Sequence, residues 1–302
     1  MTKLKSPALS LGAKGTLGDT ITFQRRLGTN FAREKPIPTD PRSLAQIYQR
    51  WDYQNGISYW NTLSNAQKQT YKTAASRHHM TGFAYFMRYY LNNLPDILAR
   101  WRLDGHSGAI APDSSKNNYN GIVVGASPVT GYIDGAYYFD GLNDRITCGF
   151  IPTNTITAYT VLIWFKTTII AGIPLLTNDR TAPIARGSLF LGLDINRIYH
   201  WNLTTTGPHL HQPAQVYNDN LWHLVAYRYN GTIMETFYDN INLGNFACTG
   251  TLIQPTADTM LGARDDIPVS SFYTGDEDHV LFFTRALSDA DLTRHFERRY
   301  PL

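Results

Sequence analysis

The chain has 302 residues, 43% of them hydrophobic and 17% charged, which is too apolar for a disordered protein and long enough for two domains. Its net charge of +3 hides an asymmetry: residues 1–100 carry 14 Lys+Arg against 5 Asp+Glu, and residues 101–302 carry 13 against 19. No run approaches the roughly 18 apolar residues that cross a bilayer, and "MTKLKSPALSLGAKG" lacks a signal-peptide core, so the expectation is a protein made in the cytoplasm, without membrane insertion and not exported by the general secretory route. The two cysteines, Cys148 and Cys248, are too few for a disulfide scaffold; a single bridge and two buried thiols both fit.

Residues 1–41 read as an extended arm and proline-rich linker. "TITFQRR" alternates as a short strand among turn signals at Gly15, Gly18 and Gly28, and "KPIPTDPRS" forbids a helix. Residues 42–97 read as a small three-helix bundle with an anchoring or assembly role. Leu44, Ile47, Tyr48, Trp51, Ile57 and Trp60 recur at three- and four-residue steps, a helical period that Gly56 weakens. Ser64 is placed to cap a second helix, and Gly82 precedes a third, "FAYFMRYYLNNL", with an aromatic stripe. The basic charge of this half suits nucleic acid, an acidic protein surface or the acidic half of another copy. The Lys and Arg residues form no dense cluster and the aromatics fall at core-facing spacing, which favours packing over nucleic-acid contact.

From about Leu98 the pattern changes to short alternating runs with turn residues every 8–12 positions, the mark of an all-β sandwich. "YTVLIWFKTT" is apolar on both alternations and predicts a central strand covered on both sides. "SLFLGLDI" aims Leu189, Leu191 and Leu193 one way, and Asn230-Gly231 between two alternating runs predicts a hairpin. Ser288 with Asp291 three residues on has capping-box spacing for a terminal helix.

Two resemblances follow. "GAKGTLGDTITFQRRLG", "PTDPRSLAQIYQR", "YWNTLSNAQKQTY" and "TGFAYFMRYYL" resemble the small structural proteins of bacteriophage and prophage virion gene clusters. Over residues 98–302, "WRLDGHSGAIAPDSSKNNYNGIVV", "GAYYFDGLNDRI", "YTVLIWFKT", "LWHLVAYRYNGTIMETFYDN" and "TGDEDHVLFFTRALSDADL" resemble, in order, the laminin-G-like domains of the concanavalin-A-like lectin superfamily. The fold this implies is mainly β: an antiparallel jelly-roll sandwich preceded by an extended arm and a small three-helix segment.

Candidate sites are loops and aromatics. "YYFDGLNDRI" sets Asn143 and Asp144 beside Asp140-Gly141, the dipeptide that turns prefer, and turn chemistry is the plainer reading. The sharper one is structural calcium, which takes six to eight oxygen ligands and binds to relatives of this fold. Asp113 and Asp278 are the leading ligands, followed by Asn143 and Asp144; the pair Asp265 and Asp266 is a further source of oxygens. Where the family has Asp-Glu before Val280, this chain has Asp278-His279. For a glycan, "RIYHWNLTTTGPHLHQPAQVY" concentrates Tyr199, Trp201, His209, His211 and Tyr217. His209 and His211 have spacing a metal can use, without an identifiable third ligand.

No Gly-x-Ser-x-Gly elbow, phosphate loop or His-Glu-x-x-His helix occurs, and no carboxylate pair has the disposition of a glycosidase, so the expectation is a non-enzyme. The halves combine into one expectation: a virion structural protein, homo-oligomeric and bound to other virion proteins through its N-terminal half. It displays a lectin-like domain on the particle for decoration and glycan or host-surface adhesion. The alternatives are a self-assembling capsid, tail or filament subunit with no ligand, and contact of the basic half with packaged nucleic acid.

Overall fold

A computed structural model describes residues 15–17, 21–26, 29–34, 43–104, 108–179, 187–265, 269 and 271–297. The proline-rich stretch 36–41, Gly18, Gly28 and Asp266 lie outside them. The chain divides into two compact units, Met1–Tyr48 and Gln49–Leu302. In the first, strands β1 (Gly15–Leu17), β2 (Ile21–Arg26) and β3 (Thr29–Glu34) form an antiparallel sheet in sequence order, so the arm is more than one short strand.

Helix α1 (Leu44–Thr62) runs through Gly56 without interruption. Helix α2 (Asn65–Ser76) starts at Ser64, where the Ser64 hydroxyl accepts from the Gln67 amide and the Gln67 side chain accepts from the Ser64 amide. Helix α3 (Gly82–Asn93) is capped by Thr81 and stopped by Leu94 in the left-handed region. A Cβ at Gly56 would lie 2.7 Å from both Met87 Cε and Tyr90 Cδ1, so the glycine lets α1 and α3 approach closely.

Two eight-stranded antiparallel sheets follow. Their strands in chain order are β4 (Ile97–Trp101), β5 (Ile110–Ala111), β6 (Gly121–Val124), β7 (Ser127–Thr130), β8 (Gly135–Asp140), β9 (Arg145–Gly149), β10 (Tyr159–Lys166) and β11 (Ile173–Thr177). Then come β12 (Leu189–Asp194), β13 (Arg197–Thr204), β14 (Gly207–His211), β15 (His223–Tyr229), β16 (Ile233–Tyr238), β17 (Ile241–Ala247), β18 (Thr259–Leu261), β19 (Thr274–Phe283) and helix α4 (Asp289–Phe296). The first sheet runs β17-β16-β15-β10-β19-β8-β7, with β4 also paired to β19; the second runs β14-β13-β12-β11-β18-β9-β6-β5. The segment beginning "TGDED" is the start of β19, because Asp276 and Glu277 pair with Tyr138 and Tyr137 of β8.

Between the sheets, Phe139, Tyr159, Val161, Phe165, Leu189, Leu191, Leu193, Val225, Tyr227 and Phe282 form one apolar cluster, with Cys148 and Cys248 buried in it as free thiols. A second cluster joins the outer face of the first sheet (Leu162, Trp164, Leu224, Leu281, Phe283) to Phe86, Tyr90 and Leu94 of the helical segment and Leu292 of α4. Strand β10 therefore has apolar material on both faces because both faces are covered. The boundary expected at 97/98 falls inside this unit, since Leu94 and Ile97 belong to the same buried cluster. Polar ties reinforce the seam: Arg100 pairs with Asp52 at 2.5 Å, Arg285 with Asp96 at 2.7 Å, and the Tyr90 hydroxyl donates to Asp96 at 2.8 Å.

Candidate functional site: an aromatic pocket on the open sheet face

The helices cover the first sheet, and the notable outer-face pocket lies on the second. Strands β12 and β13 pair so that Phe190 is opposite Trp201, Gly192 opposite Tyr199 and Asp194 opposite Arg197. The pleat sends Ile198, His200, Asn202 and Thr204 inward and leaves Tyr199 and Trp201 half-buried on the outside. At Gly192 a Cβ would lie 2.4 Å from the Ile173 carbonyl oxygen of β11, so the glycine lets β11 and β12 approach closely. Beside this close approach lies a pocket of about 420 Å³, lined by Phe190, Tyr199, Trp201, Leu193, Asp179, Asp194 and Arg264 together with Gly172 and Ser271.

Polar groups in the pocket are fixed. Arg264 donates to Asp179 at 2.5 Å and lies over the Phe190 ring at 5.5 Å. Asp194 accepts from the Ile195 amide at 2.8 Å and from Gln212 Nε2 at 3.3 Å. Phe190 and Tyr199 meet edge to face with centroids 5.0 Å apart. Burial raises the Tyr199 phenol above its ordinary range, against the opposing pull of Arg264, so it enters as a neutral hydroxyl. Exposed aromatic faces beside oriented carboxylates and a guanidinium suit a pyranose, whose apolar face stacks while its hydroxyls bond.

Of the five residues the sequence grouped, only Tyr199 and Trp201 line this pocket. His209 and His211 are opposite Asn202 and His200 in register, so the pleat turns them to the other face of the sheet. His209 Nε2 lies 3.2 Å from the Thr204 and Thr206 hydroxyls, and His211 Nδ1 lies 3.1 Å from the Thr236 hydroxyl. Burial holds these rings toward neutrality, and pushes the fully enclosed His200 down to about 3. Tyr217 is a core residue, edge-on to Phe165, with its hydroxyl donating to the Asp194 carbonyl at 2.7 Å.

The acidic candidates are engaged within the chain. Asp113 accepts from the amides of Arg100, Ser115 and Tyr119 and from the Ser115 hydroxyl at 2.7–2.9 Å, and so organises its loop. Asp278 is fully buried, accepts from the Ile133 amide at 2.7 Å, and is held well above the usual carboxylate range by burial. At the Asp140-Gly141 turn, Gly141 has φ +79°, Asp140 accepts from the Leu142 amide, and Asp144 accepts from the Asp140 amide at 3.0 Å. Asn143 belongs to the same turn, its amide donating to Asp140 and its carbonyl accepting from Arg145. The structure does not bring these four residues to one point: among the described residues no group of three or more His, Cys, Asp or Glu side chains converges as a metal-ligand set.

Sequence reasoning missed Phe190, Asp179, Asp194 and Arg264. Phe190 had a signal, as an aromatic on the outward alternation of "SLFLGLDI"; Asp179 and Arg264 come from distant loops that only the fold unites.

No family model matches the chain, and no curated protein does. Among solved structures, the chain is similar to the binding domain of Paraclostridial Mosquitocidal Protein 1 (TM-score 0.53, 12% identity, 67% of this chain and 52% of that one). It is also similar to Trypanosoma rangeli sialidase in complex with the inhibitor DANA (TM-score 0.50, 11% identity, 66% and 32%) and to the Botulinum Neurotoxin Type G receptor binding domain (TM-score 0.50, 10% identity, 67% and 51%). The chain thus spans about half or less of these three structures. At these identities the likeness is one of fold: the chain has a jelly-roll β-sandwich of two antiparallel sheets.

Proposed function

We propose that this protein is a non-catalytic glycan-binding protein that recognises sugars in the Phe190–Tyr199–Trp201 pocket. The carrying observation is a pocket of about 420 Å³ that sets the Phe190, Tyr199 and Trp201 rings beside the Arg264–Asp179 pair. Asp179 and Asp194 are already committed as hydrogen-bond acceptors, which suits binding rather than acid–base turnover. Two of the like-folded proteins are named as binding domains, which agrees with this reading without carrying it.

The wider setting belongs to the same proposal: a laminin-G-like domain on a virion structural protein, anchored through residues 1–97 and displayed outward, where many copies raise the avidity of weak sugar contacts. The N-terminal resemblance supports it, and detection of the protein in purified particles tests it. For the pocket, the full chain is applied to a broad glycan array beside Trp201→Ala. Binding by the parent with loss in the variant is the expected result; silence of the folded parent across the array overturns the reading. A ligand-free self-assembly subunit is the second reading, favoured by the opposite charges of the two halves.

A further inference from the structure

Strand β13 carries two kinds of side chain in alternation. Tyr199 and Trp201 line the pocket, while His200 between them and Asn202 face the interior. His200 is fully enclosed and belongs to a hydrogen-bonded chain that crosses from one sheet to the other. Its Nε2 lies 2.8 Å from the Tyr159 hydroxyl of β10, and its Nδ1 lies 3.3 Å from the Thr236 hydroxyl of β16. His211 Nδ1, on β14, lies 3.1 Å from that same Thr236 oxygen. Strand β14 is the end strand of its sheet, and the His211–Thr236 contact ties it to the first sheet. This chain accommodates neutral rings. Asn202 Nδ2 donates to the Tyr159 oxygen at 3.2 Å, so the phenol proton goes to His200 Nε2, which accepts it. His200 Nδ1 then donates to Thr236, and the Thr236 hydroxyl donates to His211 Nδ1. A second proton on His200 sets its Nε2–H against the Asn202 and Tyr159 donors, with no acceptor for the phenol proton among the described residues.

We propose that the β13–β14 hairpin is an acid-released seam that regulates the pocket: protons taken up from solvent by His200 and His211 part it from the first sheet and carry Tyr199 and Trp201 away from Phe190. Emptying of a sugar site in this way rests on the pocket reading; the seam itself does not. The groups that face the two rings supply no compensating charge. They are Tyr159 from β10, Leu191 in register on β12, Tyr227 from β15 with its ring 5.2 Å from His200, and Thr236 from β16. Cys248 lies beyond Asn202, its thiol 3.5 Å from Asn202 Oδ1, and β17 presents Gly244 to His211. Among the described residues no carboxylate bonds to either ring. Glu235, next to Thr236, is turned to the other face of β16, where it pairs with Arg228 at 2.8 Å. Burial holds His200 at about 3 in the closed hairpin, against 6.5 once it is released. A depressed histidine contributes stability that is intact above 6.5 and lost as pH falls toward the folded value. Between pH 7 and pH 5 the released state therefore gains roughly 25-fold from His200 alone, and His211, lowered by burial as well, adds to it.

Amide hydrogen exchange of the full chain at pH 7 and pH 5, corrected for the intrinsic chemical rate, tests the seam. The expected result is that β13 and β14 open at least about 25-fold more at pH 5, and exchange ahead of β10 and β15. His200→Gln removes the roughly 25-fold share of that ring, and His211→Gln, at the half-buried end of the chain, narrows the pH effect while leaving the core ring in place. Opening that does not change with pH overturns the proposal. So does equal exchange of β13–β14 and β10–β15, which assigns the opening to the whole sandwich, or an undiminished pH effect in the folded variants. An array-positive glycan at about ten times its Kd should slow the opening about tenfold, because it binds the closed hairpin; unchanged exchange overturns the link to the pocket. The arms without glycan contain no sugar, so they read the seam whatever the array returns.

Discussion

Glu277 lies on the inner face of β19, in register with Phe165 and Tyr137, and neither of its carboxylate oxygens has a hydrogen-bond partner among the described residues. Burial in the sandwich interior raises its pKa far above the usual carboxylate range, so it is held neutral. In the unfolded chain the same group ionises near its ordinary value of 4.5. Its contribution to stability is therefore intact below that pH and is lost as pH rises toward the folded value, by about 1.4 kcal/mol per unit. Glu277→Gln should be more stable than the parent at pH 8, with a gap that widens from pH 5 upward in urea titrations; a pH-independent gap contradicts the assignment. At this scale the sequence is uneven. Asp140-Gly141 and Ser288 with Asp291 are readable because turn and cap chemistry is local, and the Ser288 capping box forms. Glu277 and Asp113 are not, because their environments come from chain segments far away in sequence.

Among elements, α1 and the β13–β14 pair show what periodicity does and does not convey. The helical period from Leu44 to Trp60 is real, and Gly56 is kept for close packing of α3 rather than to end α1. Alanine there gains roughly 1 kcal/mol of helix propensity but overpacks against Tyr90, whose ring is pinned by its hydrogen bond to Asp96. Gly56→Ala should lower stability by about 1 kcal/mol in chemical denaturation, and an increase would show that the Met87–Tyr90 contact yields freely. On β13 the alternation of Tyr199 and Trp201 is visible in the sequence. Missing is the register with β14, which decides that His209 and His211 face the other way. Composition gathered five residues; the pleat separated them.

For the whole molecule, the sandwich and the helical segment were legible as an all-β pattern and a 3.6-residue pattern, but their union into one unit was not. That union depends on Leu94, Ile97 and Trp164 sharing a cluster, a relation no local pattern encodes. The charge asymmetry survives as a property of the chain, basic before residue 100 and acidic after it, and supports head-to-tail association of copies. Raising salt from about 0.1 M to about 1 M shortens the screening length from about 10 Å to about 3 Å. Sedimentation should then show smaller assemblies, whereas a salt-independent mass would exclude an electrostatic origin. The central claim is that sugar recognition resides in the Phe190–Tyr199–Trp201 pocket. Its most direct measurement is calorimetric titration of an array-positive glycan into the parent, Trp201→Ala and the double variant H209A/H211A, each with its melting temperature checked. A tenfold or greater loss of affinity in Trp201→Ala alone is the predicted result; full affinity in Trp201→Ala with loss in the histidine variant would contradict it.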